Sequence, residues 1–566
     1  MVEQPVFTTA GTKTAFVRQF MRPQYWVVMA LLATLAGPFL LQPKASVSAT
    51  DHDRRLVILS PHNERVRHEI GQAFADDWKT RTGETVYLDW RIPGGSSEIS
   101  LFMKSEFAGA FQYEWQGRQH QSWRHDIGTD FADPRTLLTA TGPAADARRA
   151  FLASNTGIGV DLLFGGGSYD FQQLADAGYL VAGDPAAGIG ISALMAEHPE
   201  WFSANAIPEV VSGEPFRDRQ QRWVGVVLAT FGIVFNRDVL DRLNFDQAPT
   251  QWSDLADPRL VGQVAMADPT KSGSVAKAFE LIIQQQMAQS MAQHSALPND
   301  QTEETGVREG WLKGLRLIQR MSANARYFTD SATKISLEVS RGDAAAGMAI
   351  DAYGRAAQEF VRMPSGESRV GFVSPTGGTS VSVDPIALLR GAPEPRLATA
   401  FMRFVLSERG QKLWGFRPGT PDGPVSHALR RLPVRRNFYT ETHRQYMTDA
   451  GEHPYVQAED FVYHPQWTGP MLGAIRFLIR VMCVDTHREQ RGAWQAIIAH
   501  GMPADALAAF HDLPGISYQD VKDRIMPILR AKDKVAEVRL ARELGAVFRR
   551  NYQMAARLAE AHGAES

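Results

Sequence analysis

The sequence predicts an α/β protein built from more than one unit. Three observations carry this expectation: a strand–helix–strand unit near residues 56–91, a recurring order of buried strand, small-residue loop and helix up to about residue 440, and two long extended apolar runs. The first unit sets the pattern. Leu56 to Leu59 read as a short buried strand, Val66, Ile70, Phe74 and Trp78 fall on one helical face that stops near Gly83, and "ETVYLDW" is a second strand. A helix between two strands implies a right-handed crossover and a parallel sheet.

The chain's 566 residues suggest two to four compact units. Its 44% apolar and 22% charged content is that of an ordinary globular protein, and low-complexity tracts are absent. Sixty Lys and Arg against 62 Asp and Glu leave a net charge of −2, so no basic field points to nucleic acid. A single cysteine, Cys483, excludes an internal disulfide framework and a multi-cysteine metal site, and reads as a buried apolar thiol.

Residues 1–50 carry an export signal. Lys13, Arg18 and Arg22 precede the uncharged run "YWVVMALLATLAGPFLL", and Val47-Ser48-Ala49 offers a small-residue cleavage site. The alternative is an uncleaved membrane anchor through the N-terminus, for which 17 helical residues give ~26 Å against a hydrocarbon core of ~30 Å. Both place the remainder outside the cytosol, in the periplasm or its equivalent.

Further along, "PGGSSE" follows the second strand, at the carboxyl end where open α/β sheets bind ligands. Residues 106–155 are irregular and read as a surface elaboration. Val160 to Phe164 then form a buried strand, Gly165 to Gly167 a tight loop, and Tyr169 to Ala177 a helix ended by Gly178. "VGVVLATFGIVFN" is long enough to pass between units. A strand at Val264 to Met266 leads through "ADPTKSGS" into a helix, a strand at Ala346 to Ile350 leads through "DAYG" into another, and "VGFVSPTGGTSVSVDPIALLRGA" is a second long extended run. Beyond residue 440 the segments are mainly helical. Val538, Leu544, Val547, Phe548, Tyr552 and Leu558 make an apolar stripe that predicts a docked amphipathic helix.

The motifs "VDLLFGGG", "LADAGYL", "TQWSDLADPRLVGQVAMADPTKSGSVAKAFE", "VSRGDAAAGMAIDAYGR", "SVDPIALLRGAP" and "AFMRFVLSERGQKLW" together resemble the family 1 extracellular solute-binding proteins of ABC importers, in particular the ferric-iron-binding branch. The resemblance spans roughly residues 55–440. It implies the periplasmic-binding-protein type II fold, two Rossmann-like lobes joined by crossing strands with a ligand between them. On that frame residues 51–225 form lobe 1, 226–372 lobe 2, 373–440 a return to lobe 1, and 441–566 a helical C-terminal extension that the family does not explain.

A helix starting at Gly273 or Ser274 offers unpaired N–H groups and partial positive charge, to which Ser272 and Ser274 add hydroxyls. The same residues also fit plain N-capping by Ser272. The resemblance implies that this loop lines the cleft and holds an anion. Asp351 and Tyr353 stand at a strand end preceding a helix, which points them toward a cleft, and the resemblance implies that the iron binders carry two adjacent tyrosines there, where this chain has Ala352 in place of the first. Ferric iron favours anionic oxygen ligands, so the substitution bears directly on that metal. Tyr353 and His62 are the candidate iron ligands, with Asp351 and Glu64 as further oxygen donors; the alternative for all four is a structural hydrogen-bonding or capping role. Ser96, Ser97, Gly166, Gly167, Thr230, Thr379 and Ser380 complete the expected neutral lining.

The resulting expectation is an exported binding component that closes on a small oxyanion, an organic phosphate or phosphonate, or Fe(III) with an anion, and delivers it to a membrane permease. No nucleophile–base order, HExxH helix or dinucleotide fingerprint is present, so no catalytic residue is expected. The alternative is a membrane-anchored sensor or scaffold module, or an extracytoplasmic enzyme on the same fold.

Overall fold

The computed structural model describes residues 31–32, 52–295, 298–361, 366–531 and 533–565. Apart from residues 31 and 32, the expected export segment lies outside the described residues. Contacts group the chain into two units, residues 1–55 with 84–87 and residues 56–83 with 88–566. In the first, Asp53 and Thr85 bond reciprocally, Thr85 N–H donating to Asp53 Oδ2 at 2.8 Å and Asp53 N–H to Thr85 Oγ1 at 3.1 Å. The lobes, the cleft and the C-terminal helices described below belong to the second.

Strand β1 (Arg54–Leu59) leads to helix α1 (Glu64–Thr82), which Asn63 caps by accepting from Val66 N–H and Gly83 ends in a left-handed conformation. Strand β2 (Val86–Arg91), helix α2 (Ser96–Tyr113), strand β3 (Leu162–Phe164), helix α3 (Ser168–Ala177) and strand β4 (Leu180–Val181) follow. A hairpin of β5 (Val210–Val211) and β6 (Glu214–Pro215) precedes β7 (Val224–Ala229) and β8 (Phe231–Asn236). Then come β9 (Val264–Ala267), α4 (Gly273–Gln293), α5 (Asn299–Ala323), β10 (Ala325–Thr329), α6 (Ala332–Arg341), β11 (Ala346–Ile350), α7 (Asp351–Phe360), β12 (Val370–Val373), β13 (Ser382–Leu389) and β14 (Leu432–Pro433).

Two sheets result. The first has the order β14-β7-β13-β3-β1-β2 with β4 on β13, and the second β10-β9-β11-β8-β12. The run Val224–Asn236 crosses between them, because β7 belongs to the first sheet and β8 to the second. The chain returns between β12 and β13. Thr230 and residues 374–381 are therefore the two crossings, stitched together by Phe231 N–H donating to Thr379 Oγ1 at 3.1 Å. This is the expected bilobal α/β architecture.

The sheets are mixed rather than parallel. The β1–β3, β9–β10 and β9–β11 pairs are parallel, whereas β13 runs antiparallel to β3 and β8 antiparallel to β11. A strand entering from the other lobe travels against the strands of the sheet it joins.

Residues 106–155 correct the expectation of an irregular elaboration. They continue α2 and add helices His125–Asp130 and Pro143–Ala153, whose buried Phe111, Phe131 and Phe151 rings pack with centroids about 5 Å apart. Helical spacing of Phe107, Phe111 and Trp115 gives this stretch a core of its own.

The C-terminal region adds helix α8 (Leu472–Ile479) and the long α9 (Lys534–Glu565) among shorter helices, and shares one hydrophobic core with the second lobe. Trp311 Nε1 on α5 donates to Ile516 O at 2.9 Å, and Gln319 Nε2 to Phe510 O at 2.8 Å. On α9 the buried stripe is Leu540, Leu544, Phe548 and Tyr552, four residues apart, whereas Val538 is exposed. Among the described residues Pro465–Val484 is long and apolar enough to cross a membrane, and 67% of it is buried inside the protein. Cys483 is buried there.

Candidate functional site

Strand ends build the site. The segments after β1, β2, β3, β9, β10 and β11 all reach one cleft of about 600 Å³, where Pro61 to Asn63, Gly94 to Ser96 and Gly166 to Asp170 from the first lobe face Lys271 to Ser274, Asp330 to Lys334 and Tyr353 from the second. Each segment opens a helix, so the cleft collects helix N-termini.

Three of them meet. α2 begins at Ser96, α3 at Ser168 and α4 at Gly273. At Gly273 a Cβ would stand 2.5 Å from Ser96 Oγ and 3.0 Å from Asp170 Oδ2. The missing side chain is what lets α4 of the second lobe approach α2 and α3 of the first. Gly95 and Gly167, which precede α2 and α3, supply no side-chain cap, and only Ser272 caps its own helix, accepting from Val275 N–H at 3.4 Å. Unpaired amides and partial positive charge thus converge where the lobes touch.

The charged groups around this point divide by role. Arg67 and Lys271 line the cleft without an ion-pair partner among the described residues. Lys334 is paired with Asp330 at 2.6 Å and Arg431 with Asp384 at 2.5 Å. Burial raises the Asp384 carboxyl above its ordinary value although Arg431 acts in the opposite direction. Lys277 lies between Glu214 and Glu280, 3.0 Å from each. Burial opposes its charge, and the two carboxylates more than offset that, holding the ammonium above its ordinary range.

The expected site residues divide accordingly. Ser96, Gly166, Gly167, Ser272, Gly273, Ser274, Tyr353 and His62 line the cleft. Ser97, Thr230, Asp351, Thr379 and Ser380 do not. Thr230 and Thr379 hold the crossings together, Ser380 donates to Glu214 Oε1 at 2.6 Å, and Asp351 is fully buried against Arg355. Glu64 is the exposed first residue of α1, where its charge complements the helix N-terminus.

The two iron-ligand candidates differ in environment. His62 packs edge-on to Phe164 at 4.8 Å, its Nε2 has no hydrogen-bond partner among the described residues, and Gly165 comes so close that a Cβ there would be 2.4 Å from it. Burial, then Arg431 and Arg67, push its pKa down to about 3, so the ring is neutral. Burial also raises the Tyr353 phenol, against the pull of nearby Arg431. Among the described residues no three His, Cys, Asp or Glu side chains gather as a metal cluster.

Sequence reasoning missed Arg67, Lys277, Asp384, Arg431 and, from the C-terminal region, Leu472 and Arg476. For Ser168 a signal existed, since "FGGGS" repeats the strand, small residues and helix order of "DPTKSGS". For Arg476 no local pattern marks the residue.

Residues 200–428 match the family model for bacterial extracellular solute-binding proteins. The matched stretch spans both crossings, the second lobe and the β13 and Asp384 wall of the cleft. Curated relatives are an uncharacterized protein of Haemophilus influenzae, 23% identical over 216 residues (38% of this chain, 54% of the relative), and the phosphoglycerate transport regulatory protein PgtC of Salmonella typhimurium, 22% identical over 246 residues (42% and 54%). The chain thus spans about half the length of these relatives, 54% in each case. Similar solved structures include iron-bound HitA from Pseudomonas aeruginosa, 16% identical over 75% of this chain and 98% of that one with a TM-score of 0.43. Another is AfuA from Actinobacillus pleuropneumoniae with fructose-6-phosphate, 17% identical over 64% and 81% with a TM-score of 0.39.

Proposed function

We propose that this chain is the exported solute-binding component of an ABC importer, acting in the periplasm, and that its ligand is an oxyanion of the organic phosphate or phosphonate kind. The single observation that carries the ligand class is the convergence of the α2, α3 and α4 N-termini at the contact of Gly273 with Ser96 and Asp170. A tetrahedral oxyanion accepts several N–H and O–H bonds at once, and helix N-termini supply them with favourable charge. Arg67 and Lys271 add cations that form no close ion pair among the described residues, although Lys271 acts on the nearby Asp330 carboxylate and Glu98 and Asp170 share the lining. A ligand bound to both lobes stabilises the closed arrangement, which the membrane permease then reads. The relative PgtC, by its name, serves transport of an organic phosphate, which agrees with this reading.

A second reading, ferric iron carried with an anion, rests on Tyr353 and His62 lining the same cleft. It is the weaker one, because Arg431 acts on both residues and Ala352 stands where the iron binders have a phenolate donor. Native mass spectrometry with elemental analysis of protein purified without added ligand separates the two. The oxyanion reading expects a phosphorus-bearing adduct, and iron at one per chain overturns it.

A further inference from the structure

The C-terminal region adds a wall beyond the stretch that matches the solute-binding family model. On the far side of Ser168, Tyr169, Lys277 and Arg476 lies a second cavity of about 810 Å³, and these four residues border both it and the cleft. Its remaining walls come largely from the C-terminal region, where Tyr463, Ala474, Phe477, Met526 and Leu529 present apolar surface, with Arg480, Arg530, Glu537 and, from the β6 hairpin, Glu214 as charged groups among them. The Nε atoms of Arg476 and Arg480 are buried without a hydrogen-bond partner among the described residues. Arg476 is 3.7 Å from Asp170, too far for a close ion pair, so its guanidinium retains donors for a ligand at the junction.

A small oxyanion fills only the helix-terminus end of the cleft. A chamber that shares four wall residues with that end, and to which rings and aliphatic side chains contribute much of the lining, suits an apolar body attached to the anion. We propose that this cavity is a second subsite, which receives the aromatic or long aliphatic body of an organic phosphate or phosphonate whose head sits at the α2, α3 and α4 N-termini, with Arg476 at the junction. This inference rests on the oxyanion reading and extends it to the substrate's other half.

Gly473 supplies the test. It lines the chamber but not the cleft, and a Cβ built there meets open space, so Gly473→Trp places an indole in the chamber without a backbone clash. The probes are inorganic phosphate and 1-naphthyl phosphate, titrated calorimetrically into ligand-stripped protein. Naphthyl phosphate is expected to bind at least about tenfold tighter than phosphate in the unaltered chain, through burial of its rings. Gly473→Trp is expected to abolish that advantage while leaving phosphate affinity unchanged. Equal affinity for the two probes, or an advantage that survives Gly473→Trp, overturns the subsite and leaves the head-group reading standing. Failure of both probes to bind overturns the head-group reading and the subsite with it. Loss of phosphate affinity in Gly473→Trp, with the fold intact by circular dichroism, also overturns the division into two subsites.

Discussion

Arg476 of the C-terminal helix α8 stands 3.7 Å from Asp170 in the first turn of α3, so a residue beyond the stretch that matches the solute-binding family model reaches across to the first lobe at the cleft. Its guanidinium also lies 5.9 Å from the Tyr169 ring centroid. The extension, packed on the second lobe, thereby takes part in the contact between lobes. Arg476→Gln is expected to weaken phosphate binding about tenfold while changing stability by less than about 1 kcal/mol, since so loose a pair contributes little to folding. Calorimetry and urea unfolding on the same preparation check both halves.

Lobe closure depends on Gly273. Gly273→Val puts a branched side chain where even a Cβ would meet Ser96 and Asp170, and it should hold the lobes apart. Small-angle scattering is expected to show a larger radius of gyration than the unaltered protein at saturating phosphate, with affinity lower by about tenfold or more. An unchanged radius would show that the helix termini do not need this approach.

Lys277 is the cation between two buried carboxylates. Tyr463 OH donates to Glu280 Oε1 at 2.9 Å, and Ser380 Oγ donates to Glu214 Oε1, so the cluster joins α4, the β6 hairpin, a crossing segment and the C-terminal region. Lys277→Met strands both carboxylates and is expected to cost about 3–5 kcal/mol. Adding Glu214→Gln should restore part of the loss. Denaturant unfolding of the single and double variants measures it.

His62 sets a pH dependence. Its pKa is about 3 in the folded protein against about 6.5 unfolded, so the unfolded chain binds the extra proton between those values. Stability from this residue is complete above pH ~6.5 and is lost as pH falls toward the folded value. Relative to His62→Leu, the unaltered protein should lose about 1.4 kcal/mol more per pH unit between pH 6 and 4. Parallel unfolding curves for the two proteins across that range would contradict a neutral buried ring.

The fold was readable where strand and helix periods alternate, and the crossing at Val224–Asn236 stood out because a 13-residue apolar run exceeds one strand. The mixed sheets were not, because strand direction follows from which lobe a strand enters. In the cleft, Ser272 to Ser274 were legible from a strand end, small polar residues and a helix start. Thr379, Ser380 and Asp351 share that polar character, yet their side chains are engaged by Phe231 N–H, Glu214 and Arg355, partners distant in sequence or set by burial. Both readings of Ser272 hold together: it caps α4 through Val275 N–H and still lines the cleft. Arg476 was beyond reach because its place depends on how the C-terminal helices pack on α4 and α5, a tertiary fact without a local motif.

In the proposed function, helix N-termini, finished by Ser274 on the cleft wall, hold the ligand's oxyanion. Titration of inorganic phosphate into unfolded and refolded, ligand-free protein and into its Ser274→Ala variant, which leaves the Ser272 cap in place, checks this. Saturable one-to-one binding, weakened about tenfold in the variant, is the result this account predicts. Absence of binding to the refolded protein, or equal affinity in the two, would contradict it.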